Sequence, residues 1–476
     1  MNSSLLRTKP LTALLGETTG GKQQLRRALG PWDLVALGIG CIIGVGIFVL
    51  PGVEAAQHAG PGIILSFAIA AAACGCAALC YAELAAMIPV SGSAYTYGYA
   101  TLGELPAWII GWDLILEYMV AAVLVSTGWS AYLVNLLHQA GIDLPHALCA
   151  SPWDKEPGTF NLPAVAIVVL LSALLVRGIK ESARVNFGIV VVKLAVILFF
   201  IALAGGHIEP KHWTPFMPFG FKGVMTAAAI VFLAYVGFDA VSTAAEEARN
   251  PQRDMPFGIM GSLIVATVLY MAVAAIMTGV VPYTKLGVAD PVALVLNELG
   301  MRWPSAIISV GAIGGITSVL LVLLLGQPRI LFSMSRDGLL PPFLAKVHPR
   351  FKTPYLTTIT TGTIVAVAAA LTPIDVSSAL CSIGTLFAFL IVCAGVIVLR
   401  RTRPELERPF RAPLSPFIPA LGVVLCGYLM ANLPGTAWVR FIVWLVVGLT
   451  IYASYGFRRS RAADPEFGAE APGLGE

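Results

Sequence analysis

The chain has 476 residues, is 57% hydrophobic and 12% charged, and its mean hydropathy is +0.83. A soluble protein of this size needs far more charge to cover its surface, so that class is excluded. The net charge of +4 is too slight to indicate a nucleic-acid partner. Stretches of roughly 20 apolar residues recur along the whole length, so the expected fold is an all-α integral membrane protein in a lipid bilayer.

Residues 1–30 are polar and basic without an apolar core segment, and read as a cytoplasmic tail rather than a signal peptide. About twelve transmembrane helices follow, near 31–56, 61–88, 104–137, 161–178, 184–206, 220–247, 256–281, 303–334, 354–372, 376–400, 413–433 and 436–456. Segments 3 and 8 are about 45–50 Å long at helical rise, so they tilt or project from the bilayer. The spans group as a five-helix repeat over 31–206, a second over 220–400, two accessory helices over 413–456 and a tail over 457–476. The closing AADPEFGAEAPGLGE has the composition of a disordered segment. Seven of the eight cysteines fall in apolar segments; only Cys149 sits in a long polar loop, so no disulfide framework is expected.

Basic residues set the orientation. One side carries Arg7, Lys9, Lys22, Arg26 and Arg27, then Arg177, Lys180 and Arg184, then Arg249 and Arg253. It continues with Arg336, Lys346, Arg350 and Lys352, then Arg400, Arg401, Arg403, Arg408 and Arg411, and ends with Arg458, Arg459 and Arg461. The other side shows mainly Lys155, Lys211, Lys222, Lys285 and Arg302, an asymmetry of about fourfold that makes both termini cytoplasmic.

Segment 1 reads LVALGIGCII, GVG, IFVLPG, and segment 6 reads AAAIVFLAYVGFDAVSTAAEEARNPQRDMP. Glycine weakens a helix interior by backbone entropy. Both segments are apolar, meet glycine and change character, and an odd offset of five spans makes them cross in opposite directions. Interrupted helices at matching positions of two halves mark an inverted repeat with a binding site near midplane. Unwound backbone is tolerated at that depth only where it lines a cavity. Its free N–H groups attract an anion and its free carbonyls a cation, which together suit a zwitterion. The alternative is that these glycines only permit close helix packing.

GIGCIIGVGIFVLPG, CYAELAAMIPVSGSAYTYGYATLGE, GWDLILEY, AYVGFDAVSTAAEEARNPQRDMPFGI and SRDGLLP resemble the amino acid–polyamine–organocation (APC) superfamily. The likeness is strongest to bacterial members related to cationic amino acid transporters, and it covers nearly the whole chain. The resemblance implies a LeuT-like 5+5 inverted repeat plus two helices, with helices 1 and 6 broken. It further implies that the substrate backbone is held by Ile43, Gly44, Val45 and Gly46, and by Leu233, Ala234 and Val236. In the family the position of Val45 is often Ser or Thr, and that of Leu233 a bulky aromatic; Val45 brings no hydroxyl and Leu233 a smaller lid.

Ionisable residues inside a membrane are costly and point to function. Lys193 lies about nine residues into segment 5, roughly 13–14 Å deep at helical rise. In this fold segment 5 passes near the first broken helix, where an ammonium can replace the cation of sodium-coupled relatives. Burial disfavours the charged form, so such a lysine can release and regain a proton through a cycle. The alternative is a permanently charged lysine tied to carbonyls or an acid. Asp113 and Glu117 lie four apart on one face of segment 3, and Glu117 sits near mid-membrane. Glu117 lines the substrate or proton path or else forms a structural ion pair; Asp113 and Asp239 either cap or brace broken backbone or take a functional part, and the sequence does not decide between the two. Glu246, Glu247, Arg249, Arg253, Arg336 and Asp337 form a cytoplasmic gate of ion pairs or are solvated loop charges. SGSAYTYGYAT reads as an interfacial segment.

No HExxH, paired CxxC, GxSxG or Walker pattern occurs in a catalytic context, so neither an enzyme nor a metal site is expected. The expected function is secondary active import of amino acids into the cell across the plasma (inner) membrane. It proceeds by alternating access and proton symport, with the proton as coupling ion and no other cofactor. Segments 8 and 10 offer no carboxylate for a cationic side chain, which favours small neutral substrates such as alanine. The alternatives are a cationic amino acid (Arg/Lys) transporter or exchanger and, in another class, a transporter-like sensor. Oligomeric state is not legible.

Overall fold

The structure, a computed structural model, describes residues 8–9, 25, 27–139, 141–152, 158–288, 291–371, 378–431 and 435–460. Arg7, Lys22, Arg26, Lys155, Arg461 and the final AADPEFGAEAPGLGE lie outside the described residues, as does the side chain of Val45. The described chain is helical and contains no strand; Leu29 and Ala248 form one isolated parallel bridge.

The first crossing is built from α1 (Pro31–Ile42), α2 (Val45–Phe48) and α3 (Leu50–Glu54), then a π-helical turn over Ala55–Ala59. Pro31 opens α1 where its missing N–H costs nothing, and Asp33 accepts from the Gly30 N–H over 2.8 Å. Gly60, at φ +60°, turns the chain into α4 (Ile63–Met87). Then come α5 (Ala94–Thr101), α6 (Glu104–Gln139), α7 (Leu162–Arg177) and α8 (Ile179–Ala204). Asn161 caps α7 by accepting from the Ala164 N–H.

The sixth crossing is again interrupted: α9 (Gly220–Val231), a 3₁₀ turn over Phe232–Tyr235, and α10 (Ala240–Thr243). After it come α11 (Pro251–Val280), α12 (Pro291–Glu298), α13 (Arg302–Arg336), α14 (Tyr355–Leu371), α15 (Ser378–Thr402), α16 (Phe417–Ala431) and α17 (Gly435–Ile451). Among the described residues eight stretches are long and apolar enough to cross a membrane, and α1, α7, α14 and α16 are shorter apolar helices. With these spans the chain is a multi-pass membrane protein.

Helices five crossings apart pack on one another: α11 on α4, α13 on α6, and α14 on α7. The Ala- and Cys-rich sequence of α4 permits this close approach. Lys9 and Ser460 lie at one end of the bundle, where Lys9 N–H donates to Tyr99 O and Ser460 Oγ to Glu104. Contrary to an interfacial location, SGSAYTYGYAT is sealed inside this end as α5. Tyr95, Tyr97 and Tyr99 are buried there because α5 folds under the bundle against α6 and α15.

Candidate functional site

α1 ends where Ile43 adopts an extended ψ of 101°. Helix resumes at Val45, so the interruption covers Ile43 and Gly44, one residue earlier and shorter than the GVG run suggests; Val45 and Gly46 begin the second half-helix. In the sixth crossing Val236 is extended, at ψ 134°, and Gly237 sits at φ +122°, a conformation that glycine adopts without strain. The two breaks touch. A Cβ on Gly46 would stand 2.8 Å from Ala234 Cβ, and one on Gly237 would stand 2.6 Å from Cys41 Sγ.

Breaking two helices frees backbone carbonyls in an apolar surrounding, and each must find a donor. Lys193 supplies three N–H bonds on the first side. Its Nζ donates to Ile43 O over 2.6 Å, to Gly40 O over 3.1 Å and to Ser318 Oγ over 2.7 Å. Ser318 in turn lies 2.9 Å from Gly40 O, so its lone pairs are free to face the ammonium. Tyr270 on α11 stands between the breaks, its hydroxyl 2.7 Å from Ile42 O and 2.9 Å from Ala234 O. One proton serves two carbonyls and ties both interruptions to one side chain. Asp239 braces the second break: one oxygen accepts from the Gly237 N–H at 3.1 Å, the other from Tyr118 Oη at 2.9 Å.

A cavity of about 430 Å³ opens beside the breaks. Gly44, Gly46, Leu233, Ala234, Val236 and Glu117 of the expected substrate set line it. Ile43 does not; its carbonyl is turned to Lys193 instead. The other walls are Ala121, Leu124 and Val125 of α6 and Ile316, Val319 and Leu323 of α13. From Glu117 the lining follows α6 to Tyr132, away from the end that holds Lys9. Glu117 accepts from Thr385 through one oxygen, and its other oxygen has no partner among the described residues.

Toward the other end the site is closed. Glu247 pairs with Arg329 through two bonds of 2.6 and 2.8 Å, and Glu246 with Arg336 at 2.7 Å. Asp337 takes Lys9 and the Tyr95 hydroxyl. Ser91 joins the seal through its N–H to Glu246 and its carbonyl to Ser333 Oγ. Four of the six residues expected at this end are thus paired and buried, whereas the side chains of Arg249 and Arg253 are exposed. Sequence reasoning missed Lys9, Arg329 and Tyr270. The signal for Arg329 was its position beside Pro328 inside α13; for Tyr270, a lone hydroxyl in an apolar span; Lys9 gave none.

Residues 29–452 match the amino acid permease family. The chain belongs to that family. It is 52% identical to the branched-chain amino acid permease BcaP of Bacillus subtilis (strain 168), over 97% of this chain and 99% of the relative. The methylthioribose transporter of the same organism is 49% identical, over 96% and 99%. Human cationic amino acid transporter 4 is 31% identical, over 99% and 92%. The family is one of the APC superfamily, and the chain is a transporter, not an enzyme.

Proposed function

We propose that this permease is a proton-coupled symporter that imports neutral aliphatic amino acids by alternating access. The observation that carries it is the Lys193 ammonium, seated on the carbonyls of the first break beside a cavity lined by both breaks. A coupling cation would occupy that place in a sodium-driven carrier; a lysine there makes the proton the coupling ion. The substrate carboxylate meets the N–H groups opening the half-helix at Gly44–Gly46, where first-turn donors lack an intrahelical acceptor. The ammonium meets carbonyls of the 3₁₀ turn at Leu233 and Ala234.

The aliphatic wall of Ile316, Val319 and Leu323 supports a substrate side chain larger than that of alanine, up to the branched chains named for the Bacillus relative. Cationic substrates rank lower, since Glu117 and Asp239 are the acids on the cavity wall and Asp239 is engaged by Tyr118 and Gly237. The offset-five packing of α4 with α11, α6 with α13 and α7 with α14 supports the LeuT-like inverted repeat of twelve spans. The positive-side asymmetry supports a cytoplasmic location for Lys9, Ser460 and the ion-paired end, in a plasma (inner) membrane protein. With that orientation the ion-paired end is the closed inward gate.

Proteoliposome uptake of labelled leucine, alanine, arginine and methylthioribose tests this, each under an inward proton gradient and under a sodium gradient. Leucine or alanine accumulation driven by protons is expected. Arginine or methylthioribose as the preferred solute overturns the substrate class, and sodium dependence overturns the coupling ion. Binding without counterflow marks a sensor.

A further inference from the structure

Asp113 takes no part in the site above, yet it is fully buried and, among the described residues, neither of its carboxyl oxygens has a hydrogen-bond partner. It lies one helical turn from Glu117 on α6, on the side toward the closed end. Glu117 Oε2 is likewise without a partner. Both acids face Gly384 of α15: a Cβ there would stand 2.8 Å from Asp113 Oδ1 and 3.5 Å from Glu117 Cβ. The missing side chain makes the room the two carboxyls fill.

Among the described residues the groups facing this pair supply no cation. Asp239 comes from the connection before α10, Tyr81 from α4 with an unpartnered hydroxyl, and Thr385 from α15. Arg329 and Arg336 of α13 are turned to Glu247 and Glu246, Arg440 of α17 is exposed, and Lys193 is held by Gly40 and Ile43. Two neighbouring buried carboxylates with no counter-charge are prohibitively costly, and a bound proton removes the cost. A metal ion is a poorer occupant, since no group of three ligating side chains that could hold one exists among the described residues.

We propose that Asp113 and Glu117 form a proton-binding pair between α6 and α15, separate from Lys193, that exchanges its proton with the cavity through Glu117. The proton moves from one carboxyl oxygen to the other, or to cavity water: one O–H bond breaks as another forms, and no electrons change hands. This rests on the proton-coupled reading for its role in transport, but not for its existence.

Infrared difference spectroscopy of the full-length protein in lipid, titrated across pH, reads the pair directly. A titrating protonated-carboxyl C=O band is expected, lost in Asp113→Asn and Glu117→Gln and retained in Lys193→Met. In proteoliposomes Asp113→Asn is expected to lose the pH-dependent limb of uptake. An unchanged band in Asp113→Asn overturns the pair; a wild-type pH profile with the band lost overturns its role in transport. If Asp113→Asn does not fold, Thr385→Val, which removes a bond to Glu117, is expected to shift the band; an unshifted band overturns it too. Sodium-driven uptake with the band intact sinks proton coupling alone, and proton-driven uptake without the band sinks the pair alone.

Discussion

The Lys193 ammonium and the Ile43 carbonyl, 150 residues apart in the chain, meet at 2.6 Å. The contact fixes an unwound turn of one crossing to the wall of another, and it exists only because α1 stops there. An ammonium that loses its proton gives up the charge that holds these carbonyls, so protonation and the shape of the first break are coupled. Lys193→Met is expected to abolish proton-driven accumulation while leaving exchange of labelled substrate measurable. It also leaves Ile43 O without its donor, at about 1–3 kcal/mol for a buried unsatisfied group, while Gly40 O keeps Ser318 Oγ, so the melting temperature falls. Accumulation by the variant under an inward proton gradient would refute the coupling role.

Glycine at the breaks is tested by size. Gly46→Leu drives a side chain into Ala234, and Gly44→Leu drives one into Val319, where a Cβ alone would stand 2.7 Å from Cγ2. Both are expected to eliminate substrate binding in a thermal-shift assay. Gly237→Ala meets both the positive φ and Cys41, and is expected to cost about 1–3 kcal/mol of stability. Retained binding in the Gly44 and Gly46 variants would remove the first break from the site.

Tyr270→Phe keeps the ring in place and removes only the hydroxyl. Ile42 O and Ala234 O then share no donor. The expected result is a loss of about 1–3 kcal/mol in stability, with weaker substrate affinity because the breaks are no longer held in register. An isothermal titration matching wild type would show that the hydroxyl holds neither break.

The breaks were legible because glycine in an apolar run contradicts its surroundings, and that contradiction survives in one dimension. Lys193 was legible for the same reason, since a charge deep in an apolar segment needs partners; its carbonyl ligands followed once segment 5 was set beside segment 1. What could not be read was which neighbours three-dimensional packing brings together. Tyr270 looks like any aromatic in a span until two carbonyls converge on it. Lys9 lies in a polar tail that composition alone reads as free, yet it is buried against Asp337. SGSAYTYGYAT reads as interfacial because it is polar and aromatic, but hydroxyls bonded to Asp337 and Glu104 are compatible with burial.

The closed end yields the last prediction. Glu247 and Arg329 are both almost completely buried, so removing one partner strands the other's charge. Arg329→Met alone is expected to cost about 3–5 kcal/mol. Neutralising both, as Arg329→Met with Glu247→Gln, restores stability because no uncompensated charge remains. The closed end then loses a buried, doubly hydrogen-bonded pair, and the carrier shifts toward the state open on the side of Lys9. Cys41 lines the cavity and reports that shift. In inside-out vesicles a membrane-impermeant thiol reagent, read by peptide mapping, is expected to modify Cys41 faster in the double variant than in the wild type. Equal rates would mean that the pair braces the fold without setting the access equilibrium.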